Sequence, residues 1–238
     1  MKAAAFIRKL HKWVFLLISV QALLWALSGF YMVVVDLDFI HGDHLVKNQR
    51  EPLPAVTPVA AESVLAGFGR VDSVSLRAIQ GRPYYLVRAD GSSYRFDAGT
   101  GTPVAELDAQ AAKALARYYY NGDALPRRTQ LITENPPQEI PARILPVWRV
   151  DFADRYGTSL YIDPVSAQLV TRRHDYWRLF DFLWMLHIMD YEAREDVHNN
   201  LLRFVALLTF AGTATGFALL YFRFRPRRPR RKLQEVGA

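Results

Sequence analysis

The chain has 238 residues, enough for one sizeable domain plus anchoring segments. It contains no cysteine, which excludes disulfides, thiol nucleophiles and iron–sulfur clusters. The net charge of +7 is uneven: residues 36–199 hold 18 Lys/Arg against 22 Asp/Glu, and the flanks hold 12 basic residues against one acid. The basicity therefore borders apolar segments and argues against a nucleic-acid face.

Residues 13–35, WVFLLISVQALLWALSGFYMVVV, carry no charge, and Gln21 is the most polar of them. At about 1.5 Å per residue such a helix reaches about 34 Å, enough for a bilayer core of about 30 Å. Ala26-Leu27-Ser28 has the look of a signal cleavage site, but the apolar run continues past Ser28 further than a signal segment needs, so a retained anchor is expected. Lys2, Arg8, His11 and Lys12 lie before or at the start of this span. Asp36, Asp38, His41, Asp43 and His44 follow it.

Pro52 and Pro54 mark a linker within 36–56. Thr57 as N-cap and Pro58 in the first turn predict a helix ending near Gly67. The alternation of 71–79 predicts a strand, and 82–107 predicts a hairpin turning at Asp90-Gly91 with a second turn at Asp97 to Gly101. Residues 144–170 repeat that pattern at an offset of 66, with Gly157 matching Gly91, Asp163 matching Asp97 and Val170 matching Val104. Between the copies, Asp108 predicts the cap of a helix running to about Tyr120, with Ala112, Leu115, Ala116 and Tyr119 on its apolar face. The connection 123–146 holds five prolines and is expected to be irregular.

Residues 176–189, YWRLFDFLWMLHIM, are too short to span and rich in aromatics, which predicts an interfacial or partly re-entrant helix lying against the two spans. The second uncharged run, 204–222, lies between Arg203 and Arg223 and precedes a basic tail. Positive residues cluster beyond the outer ends of both spans, so both termini are expected in the cytoplasm and 36–199 on the far side. Gly212 and Gly216 can seat a closely approaching helix, either Ser28 and Gly29 of the first span or a second copy of the chain, or leave a slot for a flat cofactor.

Two copies of a helix followed by a small antiparallel sheet resemble the PepSY module. RKLHKW at 8–13, WALSGFYM at 25–32 and the late Leu186-His187 before a final span resemble the PepSY-associated transmembrane family, whose members include haem-containing ferric-siderophore reductases. The resemblance implies an α+β membrane protein, with two transmembrane helices flanking a tandem PepSY-like extracytoplasmic domain. The expected order is cytoplasmic N-terminus 1–12, helix 13–35, linker 36–56, repeats 57–107 and 108–175, interfacial segment 176–199, helix 200–223 and basic cytoplasmic tail 224–238. It further implies a bacterial inner-membrane protein with 36–199 in the periplasm. The activity it implies is haem binding or an accessory role in electron transfer to iron. A membrane-tethered module that regulates a periplasmic peptidase or other partner is the alternative.

Imidazole is a good axial ligand for haem iron. His11, His187, His198 and His44 are the candidate haem b ligands, with His11 on the opposite side of the span from the others. His174, beside Arg172 and Arg173, is set aside. Asp36, Asp38, Asp43 and His41 form a second candidate set, for a non-haem metal. No nucleotide-binding loop, hydrolase elbow or HExxH motif is present. Segments 1–12 and 224–238 leave no room for a flavin domain, so the electron donor is expected to be another protein or a membrane quinol. The expected partners are membrane lipid, a second copy through Gly212 and Gly216, and a redox or periplasmic protein, with no nucleic acid.

Overall fold

A computed structural model describes residues 2–225 of the chain. The fold divides into two compact units, Met1–Tyr31 with Leu183–Ala238, and Met32–Phe182.

The first unit is helical. Helix α1, Lys2–Val34, has 33 residues and runs without a break through Ala26-Leu27-Ser28. The last helix, α6, covers Asn200–Phe224 and begins where Asn199 Oδ1 accepts the N–H of Leu202 at 2.8 Å. (The helices α2 to α5 belong wholly or partly to the second unit.) Both α1 and α6 are long and apolar enough to cross a membrane, and only 11% and 6% of their most apolar stretches are buried. A core helix of a soluble domain would be covered on one broad face; here Leu17, Val20, Phe210 and Phe217 are all exposed, as lipid contact requires. The two helices meet along a narrow stripe in which Ile18, Met189 and Val205 are buried among Val14, Phe15, Trp25, Leu202 and Leu208.

The second unit is α+β. After the short α2, Leu37–His41, and a 3-10 turn, it contains two meanders. The first is α3, Ala61–Leu65, followed by β1, Val71–Ile79, β2, Arg82–Ala89, and β3, Ser92–Asp97, in the order β1-β2-β3. The second is α4, Ala109–Tyr119, followed by β4, Pro126–Ile132, β5, Val147–Phe152, β6, Ser159–Ile162, and β7, Leu169–Arg173, in sequential order. All pairings are antiparallel. Asp108 Oδ1 accepts the N–H of Ala111 at 2.7 Å to cap α4, whose Ala112 is buried and whose Leu115, Ala116 and Tyr119 join a core with Val150, Leu160 and Ile162. Helix α5, Asp175–Ile188, begins in this unit and ends in the first.

The aspartate turn occurs twice with one geometry. Asp97 Oδ1 accepts the N–H of Gly99 and Thr100 at 2.8 and 3.0 Å, and Asp163 Oδ1 accepts those of Val165 and Ser166 at 2.9 and 2.6 Å. Gly101 and Ala167 then close the two turns at φ 75° and 58°. An alanine in that conformation is strained by about 1 kcal/mol.

Three local expectations differ from the fold. The first helix starts at Ala61 and not at Thr57, because Val59 is held extended: its N–H reaches Ala98 O at 2.8 Å and its C=O accepts Tyr85 OH at 2.7 Å. Residues 102–107 add only a single bridge, Phe96 to Pro103, since proline brings no donor. Within 123–146, β4 is regular: its proline stands at the first position, where an edge strand tolerates it.

Candidate functional site

The polar side chains of the helical unit converge on two imidazoles. At one end of α1, Gln21 Nε2 donates to Leu186 O at 2.9 Å and Trp25 Nε1 donates to His187 O at 2.7 Å. These bonds satisfy carbonyls in the last turn of α5, which have no partner within the helix. Ser28, 0% exposed, sits beside the His187 ring, with Oγ 2.8 Å from Nδ1. Its own hydroxyl proton goes to Leu24 O, 2.7 Å away. That assigns the Nδ1 hydrogen to His187 and leaves Nε2 with the free lone pair. Trp184 stacks on the His187 ring, with planes at 4° and centroids 6.4 Å apart.

At the other end, His11 Nδ1 lies 3.1 Å from Gly212 O and 3.0 Å from Thr215 Oγ1. Thr215 Oγ1 donates to the same carbonyl at 2.6 Å, so here too Nδ1 carries the hydrogen and Nε2 the lone pair. The glycines make room for this ring and its neighbour. A Cβ on Gly216 would stand 3.2 Å from His11 Cε1, and one on Gly212 would stand 2.8 Å from Phe15 Cε2. The residues across Gly212 and Gly216 are thus His11, Val14 and Phe15 of the same chain, and not Ser28 and Gly29.

An anchored Nδ1–H with a bare Nε2 is the state in which histidine binds iron, so the donor chemistry at both rings fits a haem ligand. One helix separates His11 from Ser28 by about 26 Å at about 1.5 Å per residue, so the two rings cannot share an iron.

The other expected ligands are placed differently. His198 is exposed on the loop after α5, and its N–H donates to Asp196 Oδ1 at 2.7 Å. Asn199 Nδ2 donates to Ile188 O at 2.9 Å and so ties the base of that loop to the turn carrying His187. Asp190 organises the loop by accepting the N–H groups of Glu192, Ala193, Glu195 and Asp196. These backbone donors hold its carboxyl below the usual aspartate value.

In the second unit, Asp36 Oδ1 caps α2 by accepting the N–H of Phe39 at 2.9 Å. Asp43 pairs with Arg172, whose Nε donates to His41 O at 3.0 Å. Asp38 is exposed. His44 stacks on Phe39 at 4.7 Å and meets the His174 ring edge-on at 6.0 Å. Among the described residues, no group of three or more His, Asp or Glu side chains is placed to hold a metal ion.

His174, set aside on sequence, is the most enclosed of the histidines. It is 0% exposed, its Nε2 lies 2.9 Å from Ile40 O, and its Nδ1 is buried without a partner. Burial lowers its pKa, outweighing the bond to Ile40. Its arginine neighbours point elsewhere: Arg173 Nε donates to Glu139 O at 2.8 Å and its guanidinium lies over Trp177.

A second group that the sequence did not reveal is centred on Glu139. Its carboxylate accepts Arg178 Nε at 2.6 Å and the hydroxyl of Tyr161, with Arg149 3.8 Å away. Burial opposes its ionisation, but the bonds from Arg178 and Tyr161 prevail and hold its pKa below the usual glutamate value. Arg178 stands on the first turns of α5, so this group fixes that helix to β5 and β6. No family model, curated protein or solved structure matches the chain.

Proposed function

We propose that the chain is a bacterial inner-membrane protein that binds haem b through His11 and His187 and takes part in transmembrane electron transfer toward ferric iron, free or siderophore-bound. The observation that carries this reading is the common state of the two rings: each Nδ1 is tied to a hydroxyl whose own proton is already used, so each Nε2 is free to bind a metal. Haem bound there would accept and release one electron at a time. The chain's part is to hold both imidazoles in the ligating tautomer and to keep them at opposite ends of one apolar helix. A separate protein or quinol would supply electrons to haem held by these residues. Retention of the first span fits this reading, with Gln21, Trp25 and Ser28 completing the end of α5.

The test is the absorption spectrum of the full chain purified in detergent from haem-replete cells. A Soret band that shifts on reduction is expected, with a pyridine derivative characteristic of haem b. Folded, colourless protein would overturn the proposal.

A further inference from the structure

The second unit carries an uncovered strand edge beside a polar groove. β1 is the outer strand of its sheet. Its hairpin loop, Gln80-Gly81, has φ of 51° and 72°, and a two-residue loop of that kind makes Ile79 and Arg82 a hydrogen-bonded pair. Counting back, Arg77 and Ser75 bond to β2, whereas Ala78, Leu76 and Val74 turn their N–H and C=O groups outward. Pro83 agrees with this count: it faces Ala78, and its C=O accepts Ala98 N–H at 3.0 Å on the far side of β2. Among the described residues, no other segment makes a backbone hydrogen bond to the outer edge of β1.

A groove of about 420 Å³ runs along this edge, between Leu76 and Arg77 of β1, the linker residues Arg50 and Leu53, and Leu169 of β7. β7 is the outer strand of the other sheet. Arg50 and Arg77 make no ion pair among the described residues. The groove's one acid is occupied: Glu51 accepts Gln80 N–H at 2.9 Å and Gly81 N–H at 2.7 Å, which fixes the hairpin loop beside the groove. Leu53 is 51% exposed over it. The site thus offers backbone donors and acceptors at strand spacing, two unneutralised guanidinium groups and an uncovered apolar side chain.

The geometry points to an extended acidic peptide segment of another protein as the occupant, added to β1 as a further strand with its carboxylates on Arg50 and Arg77. Strand addition supplies main-chain bonds, and guanidinium–carboxylate pairing selects the acidic sequence. A second copy of β1 is a poorer match, since Arg70 already engages its only acid, Asp72, at 2.9 Å. This interaction does not depend on haem.

The test uses the full chain in a neutral detergent and two labelled hexapeptides, one alternating valine with aspartate and one alternating valine with lysine, read by fluorescence anisotropy. Saturable binding of the aspartate peptide is expected, at least about tenfold tighter than the lysine peptide, or about 1.4 kcal/mol. Arg50→Gln with Arg77→Gln should abolish that preference. Ala78→Pro should weaken binding of the aspartate peptide by removing an outward N–H and leaving the β1–β2 ladder intact. If Ala78→Pro is misfolded by circular dichroism, the arginine variant decides. Equal binding of both peptides, no binding, or a concentration-dependent dimer that Ala78→Pro dissolves would each overturn the proposal.

Discussion

Ser28 and Thr215 decide which ring nitrogen of His187 and His11 holds the hydrogen, and the ligand reading depends on that choice. Ser28→Ala keeps the imidazole but removes its anchor, so haem affinity at His187 should fall about 10–100-fold in a haemin titration, and unchanged affinity would remove Ser28 from the site. The sequence marks His11 at the basic end of the first span and His187 on an aromatic helix face as candidates. It does not mark their anchors: Ser28 and Thr215 look like small packing residues until the helices are placed. Gln21 was the one visible signal, a polar side chain inside a span. His174 was hidden by its neighbours, since two flanking arginines suggest a solvated surface, yet strand geometry sends those side chains elsewhere and buries the ring. Stability follows the same groups. His174 has a folded-state pKa below its usual 6.5, so its contribution is present above that pH and is lost as pH falls through the lowered value. Glu139, held below its usual 4.5, contributes above that pH and is lost further into acid. Denaturant midpoints should therefore fall in two stages on acidification, with His174→Phe removing the upper stage and Glu139→Gln the lower.

At the scale of elements, the contact between α1 and α6 rests on an absent side chain. A Cβ on Gly212 meets the Phe15 ring at 2.8 Å and Val14 Cγ1 at 3.2 Å, so Gly212→Val should destabilise the helical unit by about 1–3 kcal/mol in detergent unfolding. The same variant should release His11 from Gly212 O and lower haem uptake there more than at His187. Helix α4 was legible residue by residue because a capping aspartate and four apolar positions at helical spacing agree. Strand β4 was not, because PRRTQLI exposes its polar residues and opens on proline, the marks of an edge that sequence alone reads as a loop. The start of α3 was misplaced for a different reason. Thr57-Pro58 satisfies the local rule for a helix start, but both backbone groups of Val59 are claimed by distant residues. The aspartate turns were visible as paired residues, whereas the unequal strand numbers of the two sheets were not.

At the scale of the whole molecule, two helices long and apolar enough to cross a membrane accompany an α+β unit. Under the proposed topology, reporter fusions within 57–170 should be active only outside the cytoplasm, and cytoplasmic activity would reverse the proposed path of electrons. The most direct measurement is the haem-to-chain ratio of the purified protein and its two histidine variants. His11→Ala and His187→Ala should each lose a separate part of the haem, and the double variant should lose all of it. Full haem content in the double variant, or none in the parent chain, would contradict haem binding by these two rings.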